Sequence, residues 1–157
     1  MYCGESNSAV DESGRVRVPL HFKSLMKALN HDTWHVTRGS DGALLLFPEK
    51  LWNELVERLT PPVHAEESQE HLDFRRMFLG CAARVNMDAK GRLNIPALLR
   101  EYAGIDREAV ILGMGNHLEI WRVKGWKAFQ ESQAESYKKM AAELFGGLCG
   151  RPGQCAE

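Results

Sequence analysis

Asp11 and Arg15 stand four residues apart, with Gly14 just before the arginine, and Asp88, Gly91 and Arg92 repeat that spacing. These are the residue types and spacings in the chain that could do chemistry. An arginine guanidinium is a planar fork that matches the O6/N7 edge of guanine in the major groove. The same fork pairs with a carboxylate, so each Asp–Arg couple could instead staple its own turn. The two aspartates also raise the question of a catalytic acid pair. No nucleophile–base couple, phosphate-cradling glycine loop or metal-ligand cluster accompanies them in the sequence, which argues against an enzyme and gives no reason to expect a cofactor.

The segments carrying these residues are copies of each other. "VDESGRVRVP" (10–19) and "MDAKGRLNIP" (87–96) share an apolar residue, Asp, two free positions, Gly-Arg, apolar, free, apolar, Pro, at a separation of 77 residues. The match resumes downstream, where Leu44, Leu46, Phe47, Lys50 and Trp52 align with Leu118, Ile120, Trp121, Lys124 and Trp126 at an offset of 74. The chain is therefore a tandem repeat. The second copy is three residues shorter between its proline and its next strand.

Each copy must supply elements that hold the Asp–Arg couple. An entry strand ends at the Asp. Asp accepts backbone N–H groups and Gly tolerates positive φ, so Asp11 with Gly14 and Asp88 with Gly91 read as turn architecture. "RVRVP" then alternates, with Val16 and Val18 on one face and Arg15 and Arg17 on the other; Leu93 and Ile95 do the same in "RLNIP". Pro19 and Pro96 can open the helices "LHFKSLMKAL" and "ALLREYA". The apolar runs "TWHVT"/"ALLLF" and "AVILG"/"LEIW" form hairpins across "GSDG" and "GMGN". A helix closes each copy, and a third is expected up to Met77 after the Pro-rich connection. Neither copy buries much apolar surface alone, so packing one against the other is the physical reason for the repetition. The runs "LLLF" and "LEIW" are expected to leave apolar surface that oligomerisation would cover.

Composition limits the function classes. The 157 residues are 44% hydrophobic and 26% charged, as in a soluble globular protein. Net charge is −1, against a protein that coats nucleic acid everywhere but compatible with a local basic patch. Basic residues dominate from Ser13 to Arg38 and acids from Glu49 to Asp73. No window reaches the run of about 18 apolar residues a membrane span needs, and no basic-then-apolar leader opens the chain, so a cytoplasmic protein is expected. Cys3, Cys81, Cys149 and Cys155 are scattered and read as thiols in a reducing compartment. His31 and His35 have i, i+4 spacing but no nearby ligand to complete a metal site. Trp34, Trp52, Trp121 and Trp126 could be stacking platforms for single strands, but their matched places in the repeat favour packing in the core or between subunits.

The quoted motifs carry a family resemblance. "YCGE", "VDESGRVRVP", "FRRMFLGCAARVNMDAKGRLNIPALLREYAGI" and "VILGMGNHLEIWRVKGW" resemble the MraZ family of bacterial transcriptional regulators, from Tyr2 to about Trp126. The resemblance implies an α+β fold, mainly β with flanking helices: two tandem AbrB-like swapped-hairpin repeats forming one pseudo-symmetric β-barrel domain. The expected division is a first repeat at 1–59, a linker and helix at 60–77, a second repeat with its C-terminal helix at 78–145, and a disordered tail at 146–157. The resemblance further implies a ring-shaped homo-oligomer, of about eight subunits by closure of repeated contacts. It implies double-stranded DNA as partner, at G-rich direct repeats in the promoter of the division and cell-wall gene cluster, and hence a nucleoid-associated location. Carried across residue by residue, DNA contact falls on Ser13, Arg15, Arg17, Lys90 and Arg92. Arg15 and Arg92 would read guanine, while Arg17 and Lys90 would meet phosphates. Ser13 stands where the family commonly has a basic residue, so the two turns are expected to contribute unequally. A ring-forming scaffold that binds protein partners, with the basic turns incidental, is the competing reading.

Overall fold

Strand pairing in the computed structural model, which describes residues 1–146, interleaves the two copies. The first copy supplies β1 (Tyr2–Ala9), β2 (Arg15–Arg17), α1 (Leu20–Ala28), β3 (Thr33–Arg38), β4 (Leu44–Pro48) and α2 (Glu49–Leu59). Then α3 (Gln69–Phe78) connects to β5 (Ala83–Asn86), β6 (Arg92–Asn94), α4 (Ala97–Ala103), β7 (Glu108–Gly115), β8 (Leu118–Trp121) and α5 (Val123–Phe145). The chain divides into two compact units, Met1–Val123 and the segment from Lys124 on. In the second unit, the Trp126 and Phe129 rings stack at 5.7 Å, and Tyr137, Met140 and Leu144 lie exposed along α5. The tail expected at 146–157 falls outside the described residues except for Gly146, whose N–H donates to the Ala142 carbonyl.

Six strands form one antiparallel sheet in the order β1-β7-β8-β4-β3-β5. Each entry strand pairs with the other copy: β1 runs along β7 from Tyr2↔Gly115 to Ala9↔Glu108, and β5 pairs with β3. At the sheet's centre β4 meets β8 with Leu44↔Ile120, Leu45↔Glu119 and Leu46↔Leu118. In the repeat, Leu44 corresponds to Leu118 and Leu46 to Ile120, so exchanging the copies leaves the register unchanged. The remaining strands, β2 and β6, pair with the same property: Arg15↔Asn94, Val16↔Leu93, Arg17↔Arg92. A pseudo-two-fold axis thus runs through Leu45/Glu119 and Val16/Leu93.

The expected closed barrel is not what the ladders form. They give an open six-stranded sheet and a separate two-stranded ribbon, joined by the single bridges Val10↔Val16 and Met87↔Leu93. The reason lies in the short ribbon strands. Each leaves its hairpin partner after one bridge to pair with the other copy, and Pro19 or Pro96, lacking an N–H, ends the run two residues past the strand.

The core fills the space between ribbon, sheet and the helices α1 and α4. Val16, Leu93, Phe22, Met26, Leu99, Trp34 and Val36 belong to it. Burying each such side chain fully is worth roughly 1.5–3 kcal/mol relative to exposure. The apolar surface expected on β4 and β8 is also here: Leu44, Leu46, Leu118 and Ile120 are at most 1% exposed. Their strands are central, and the interleaved copies cover one another. Trp34 is wholly buried, its Nε1 donating to the His31 carbonyl at 2.9 Å, which leaves it no face for stacking a base. By contrast α3 buries none of its residues and exposes Phe74 and Met77. Its start is fixed by Ser68, which accepts from the His71 N–H, and by Glu67, whose carboxylate takes the Arg75 guanidinium at 2.7 and 2.8 Å. Among the described residues no helix is long and apolar enough to cross a membrane.

Candidate nucleic-acid interface

Both Asp–Gly turns have the same internal wiring. Asp11 Oδ1 accepts the backbone N–H groups of Ser13 and Arg15, each at 2.9 Å; Asp88 Oδ1 accepts those of Lys90 and Arg92, also at 2.9 Å. The N–H of Gly14 returns to the Asp11 carbonyl and that of Gly91 to the Asp88 carbonyl, both at 3.0 Å. Gly14 and Gly91 hold φ of +81° and +75°, a region L side chains avoid. Each turn is then tied across the axis: Ile95 N–H donates to the Gly14 carbonyl and Val18 N–H to the Gly91 carbonyl.

Because Val16 and Leu93 point into the core, Arg15, Arg17, Arg92 and Asn94 lie on the opposite, outward face of the ribbon. Ser13 and Lys90 sit exposed at the turn apices. The site residues from both copies are therefore gathered at one end of the fold.

The two arginines nearest the turns differ in their bonding. Arg92 Nε and Nη2 hold Asp88 Oδ2 at 2.8 Å, and Nη1 reaches Asp11 Oδ2 at 3.3 Å. Arg15 approaches Asp11 Oδ2 only at 3.8 Å. Their side chains are 23% and 42% exposed, respectively. The staple is thus complete in the second turn and loose in the first. Both aspartates are held below the usual carboxylate range. For Asp11 the leading cause is the Arg15 backbone N–H; for Asp88 it is the hydrogen bond from the Arg92 side chain. Partial burial opposes both shifts.

Two further basic residues flank the ribbon that the motif alone did not single out. A Cβ added at Gly14 would lie 2.3 Å from Arg100 Cζ, and one at Gly91 would lie 2.8 Å from Lys23 Cδ. Each helix thus lays a cation over the turn of the other copy. The sequence signal was available: Lys23 and Arg100 share the 77-residue offset of the motif and are basic in both copies. Shallow grooves of about 470 and 450 Å³ open beside the two turns, one bordered by Arg100 and Arg107, the other by Lys23 and Lys27. Among the described residues no group of His, Cys, Asp or Glu is arranged to hold a metal.

The geometry first defines a class: an α+β protein of two interleaved repeats that meet at an outward, arginine-bearing ribbon. Comparison supplies the family. The family model described as "MraZ protein, putative antitoxin-like" matches residues 1–74 and again 77–147. Proteins named Transcriptional regulator MraZ are similar over most of their length. That of Halothermothrix orenii is 34% identical over 145 residues, covering 92% of this chain and 96% of the relative. Those of Syntrophomonas wolfei and Natranaerobius thermophilus are 33% and 32% identical, each with the same 92% and 96% coverage. The chain belongs to the MraZ family.

Proposed function

We propose that this chain is a sequence-specific DNA-binding transcriptional regulator. The observation that carries the reading is the ribbon: Arg15, Arg17 and Arg92 lie on the outward face of one two-stranded surface, flanked by Lys90. A β-ribbon fits the major groove, an arginine fork matches guanine, and the remaining cations suit phosphates. The names of the relatives support the same class of function. Arg15 is the readier base reader, because its carboxylate contact is the looser one; Arg92 must release Asp11 or Asp88 before it can reach a base.

The finer reading follows the family resemblance. The target is a set of G-rich direct repeats in the promoter of the division and cell-wall gene cluster, bound by a ring homo-oligomer of about eight subunits. A cytoplasmic, nucleoid-associated location goes with it. The apolar surface for assembly is not on β4 and β8, which are core, so Phe74 and Met77 of α3 are the better candidates. A titration against promoter and scrambled duplexes at rising salt tests the proposal. Preference for the promoter, with binding that weakens steeply as counterions compete, supports it. Equal or absent binding to the two duplexes would instead favour a scaffold for protein partners.

A further inference from the structure

The outward face of the ribbon carries Arg15 and Arg17 from β2 and Arg92 and Asn94 from β6. Under the 77-residue offset Asn94 stands in the place of Arg17, so the repeat departs from itself at this one outward position. Asn94 is exposed, and among the described residues its amide has no hydrogen-bond partner. Asparagine is disfavoured in strands, and here neither burial nor a local hydrogen bond offsets that cost. Register fixes its neighbour. Ile95 N–H donates to the Gly14 carbonyl and Val18 N–H to the Gly91 carbonyl, at the two ends of the ribbon. Hydrogen-bonded and non-hydrogen-bonded pairs alternate along an antiparallel ladder. Arg15↔Asn94 and Arg17↔Arg92 are therefore the non-hydrogen-bonded pairs, whose side chains stand closer together. Cβ atoms directly opposed across a ladder are roughly 4.5–5.5 Å apart. Successive base pairs of a duplex are about 3.4 Å apart. Arg15 and Asn94 are thus spaced to meet the same base pair or adjacent ones.

We infer that Asn94 is a base reader specific for adenine, and that the A·T pair it takes lies beside the guanine read by Arg15. The inference rests on the DNA-binding reading above and adds a base that the arginines do not select. A guanidinium only donates, so it matches the two acceptors of guanine, O6 and N7. A carboxamide both donates and accepts. Its NH2 group donates to adenine N7 while its oxygen accepts from adenine N6, and no other single base offers that pair of groups in the major groove. At the other end of the ribbon Arg17 faces Arg92, and neither side chain has an acceptor to offer an adenine N6. Selection of adenine therefore belongs to the Asn94 end alone. The recognised element joins an adenine to guanine there, and is not guanine throughout.

The experiment selects from a library of random duplexes with full-length wild type, Asn94→Ala and Asn94→Arg, and compares the enriched sequences position by position. Position 94 is exposed, so neither substitution touches the core face of the ribbon, and melting followed by circular dichroism checks both variants against the wild type. The wild type is expected to enrich an adenine beside an enriched guanine. Replacing that A·T pair by G·C should weaken wild-type binding by about five- to 150-fold, the scale of one bidentate base contact. Asn94→Ala should bind the two duplexes equally while keeping its selection of guanine. Asn94→Arg, which writes Arg17's residue into the second copy, should turn the preference at that place to guanine. Selection by Asn94→Ala identical to that of the wild type would overturn the inference. So would a fall in affinity that is equal for every duplex, which marks a backbone contact instead of a base contact. In either case the enriched guanines leave the DNA-binding reading standing. A wild type that enriches no sequence would sink that reading itself.

Discussion

Arg92 Nη1 lies 3.3 Å from Asp11 Oδ2, joining the second turn to the first across 81 residues of sequence. Its other nitrogens hold Asp88 of its own turn at 2.8 Å. One guanidinium thus spans both Asp–Gly turns, while Arg15 has a single contact at 3.8 Å. Stapling is therefore shared unequally between residues that the repeat makes equivalent, and on the proposed reading so is recognition.

Substituting the two arginines should separate these roles. Arg92→Ala strips both aspartates of their shared cation, so it should lower the melting temperature as well as weaken DNA binding. Arg15→Ala should leave the melting temperature close to wild type and act on binding alone, at about 1–3 kcal/mol per engaged site if a bidentate guanine contact is lost. Thermal unfolding followed by circular dichroism distinguishes them; equal melting shifts for the two variants would contradict the division.

The lowered aspartates set an acid limit on the ribbon. Unfolded, each carboxyl titrates near pH 4; folded, Asp11 and Asp88 titrate lower. The unfolded chain therefore binds more protons as pH drops below that value, and the stabilisation, fully present above it, is lost as pH falls through the folded values. Asp11→Asn/Asp88→Asn should be less stable than wild type at pH 7, with a shallower decline below pH 4. Urea unfolding at a series of pH values measures this; parallel curves for the two proteins would contradict it.

Gly113 is a stricter requirement than its place in "AVILGMGN" suggests. A Cβ there would lie 2.4 Å from the Cys3 backbone nitrogen and 2.5 Å from the Tyr2 carbonyl carbon, so β1 would have to move. Gly113→Ala should release the N-terminal end of β1 from β7, raising amide exchange at Tyr2 to Glu5. Gly14→Ala meets the movable Arg100 side chain but keeps a positive φ, and should cost about 1–2 kcal/mol. Unchanged exchange in Gly113→Ala would show that the strand tolerates the methyl group.

Much of this was legible in the sequence, because periodicity and turn chemistry are local. The alternation of "RVRVP" placed Val16 and Val18 inside and Arg17 outside, and "ALLREYA" and "LEIW" coincide with α4 and β8. What the sequence obscured depends on contacts between distant segments. Nothing local in "LLLF" says that Leu44 and Leu46 face Ile120 and Leu118 across the pseudo-two-fold axis, so a core ladder read as exposed surface. The closed barrel that the resemblance implies fails to form for a related reason: three-residue strands between an Asp–Gly turn and a proline support one bridge to the hairpin partner, not a ladder. The unequal grip of Arg92 was hidden because the Asp, Gly and Arg spacing is the same in both turns and gives no hint which arginine crosses between them.

The ribbon's hold on the core provides a stability test. Leu93 is 1% exposed and faces Val16 on the axis, so Leu93→Ala should destabilise the fold by about 2–5 kcal/mol through lost burial and the cavity left behind. Denaturant unfolding measures it, and a loss below 1 kcal/mol would show that the ribbon is not anchored through this residue.

The most direct test of the central claim is a titration of one-repeat and multi-repeat promoter duplexes with wild type, Arg15→Ala and Arg92→Ala. If the basic ribbon reads DNA and neighbouring subunits act together, the multi-repeat duplex should bind about 10² to 10⁴ times tighter than the single repeat. Arg15→Ala should abolish that specific binding while the oligomer persists, and Arg92→Ala should weaken it. If both variants bind the multi-repeat duplex like wild type, the arginines are only staples and the ribbon is not a DNA reader.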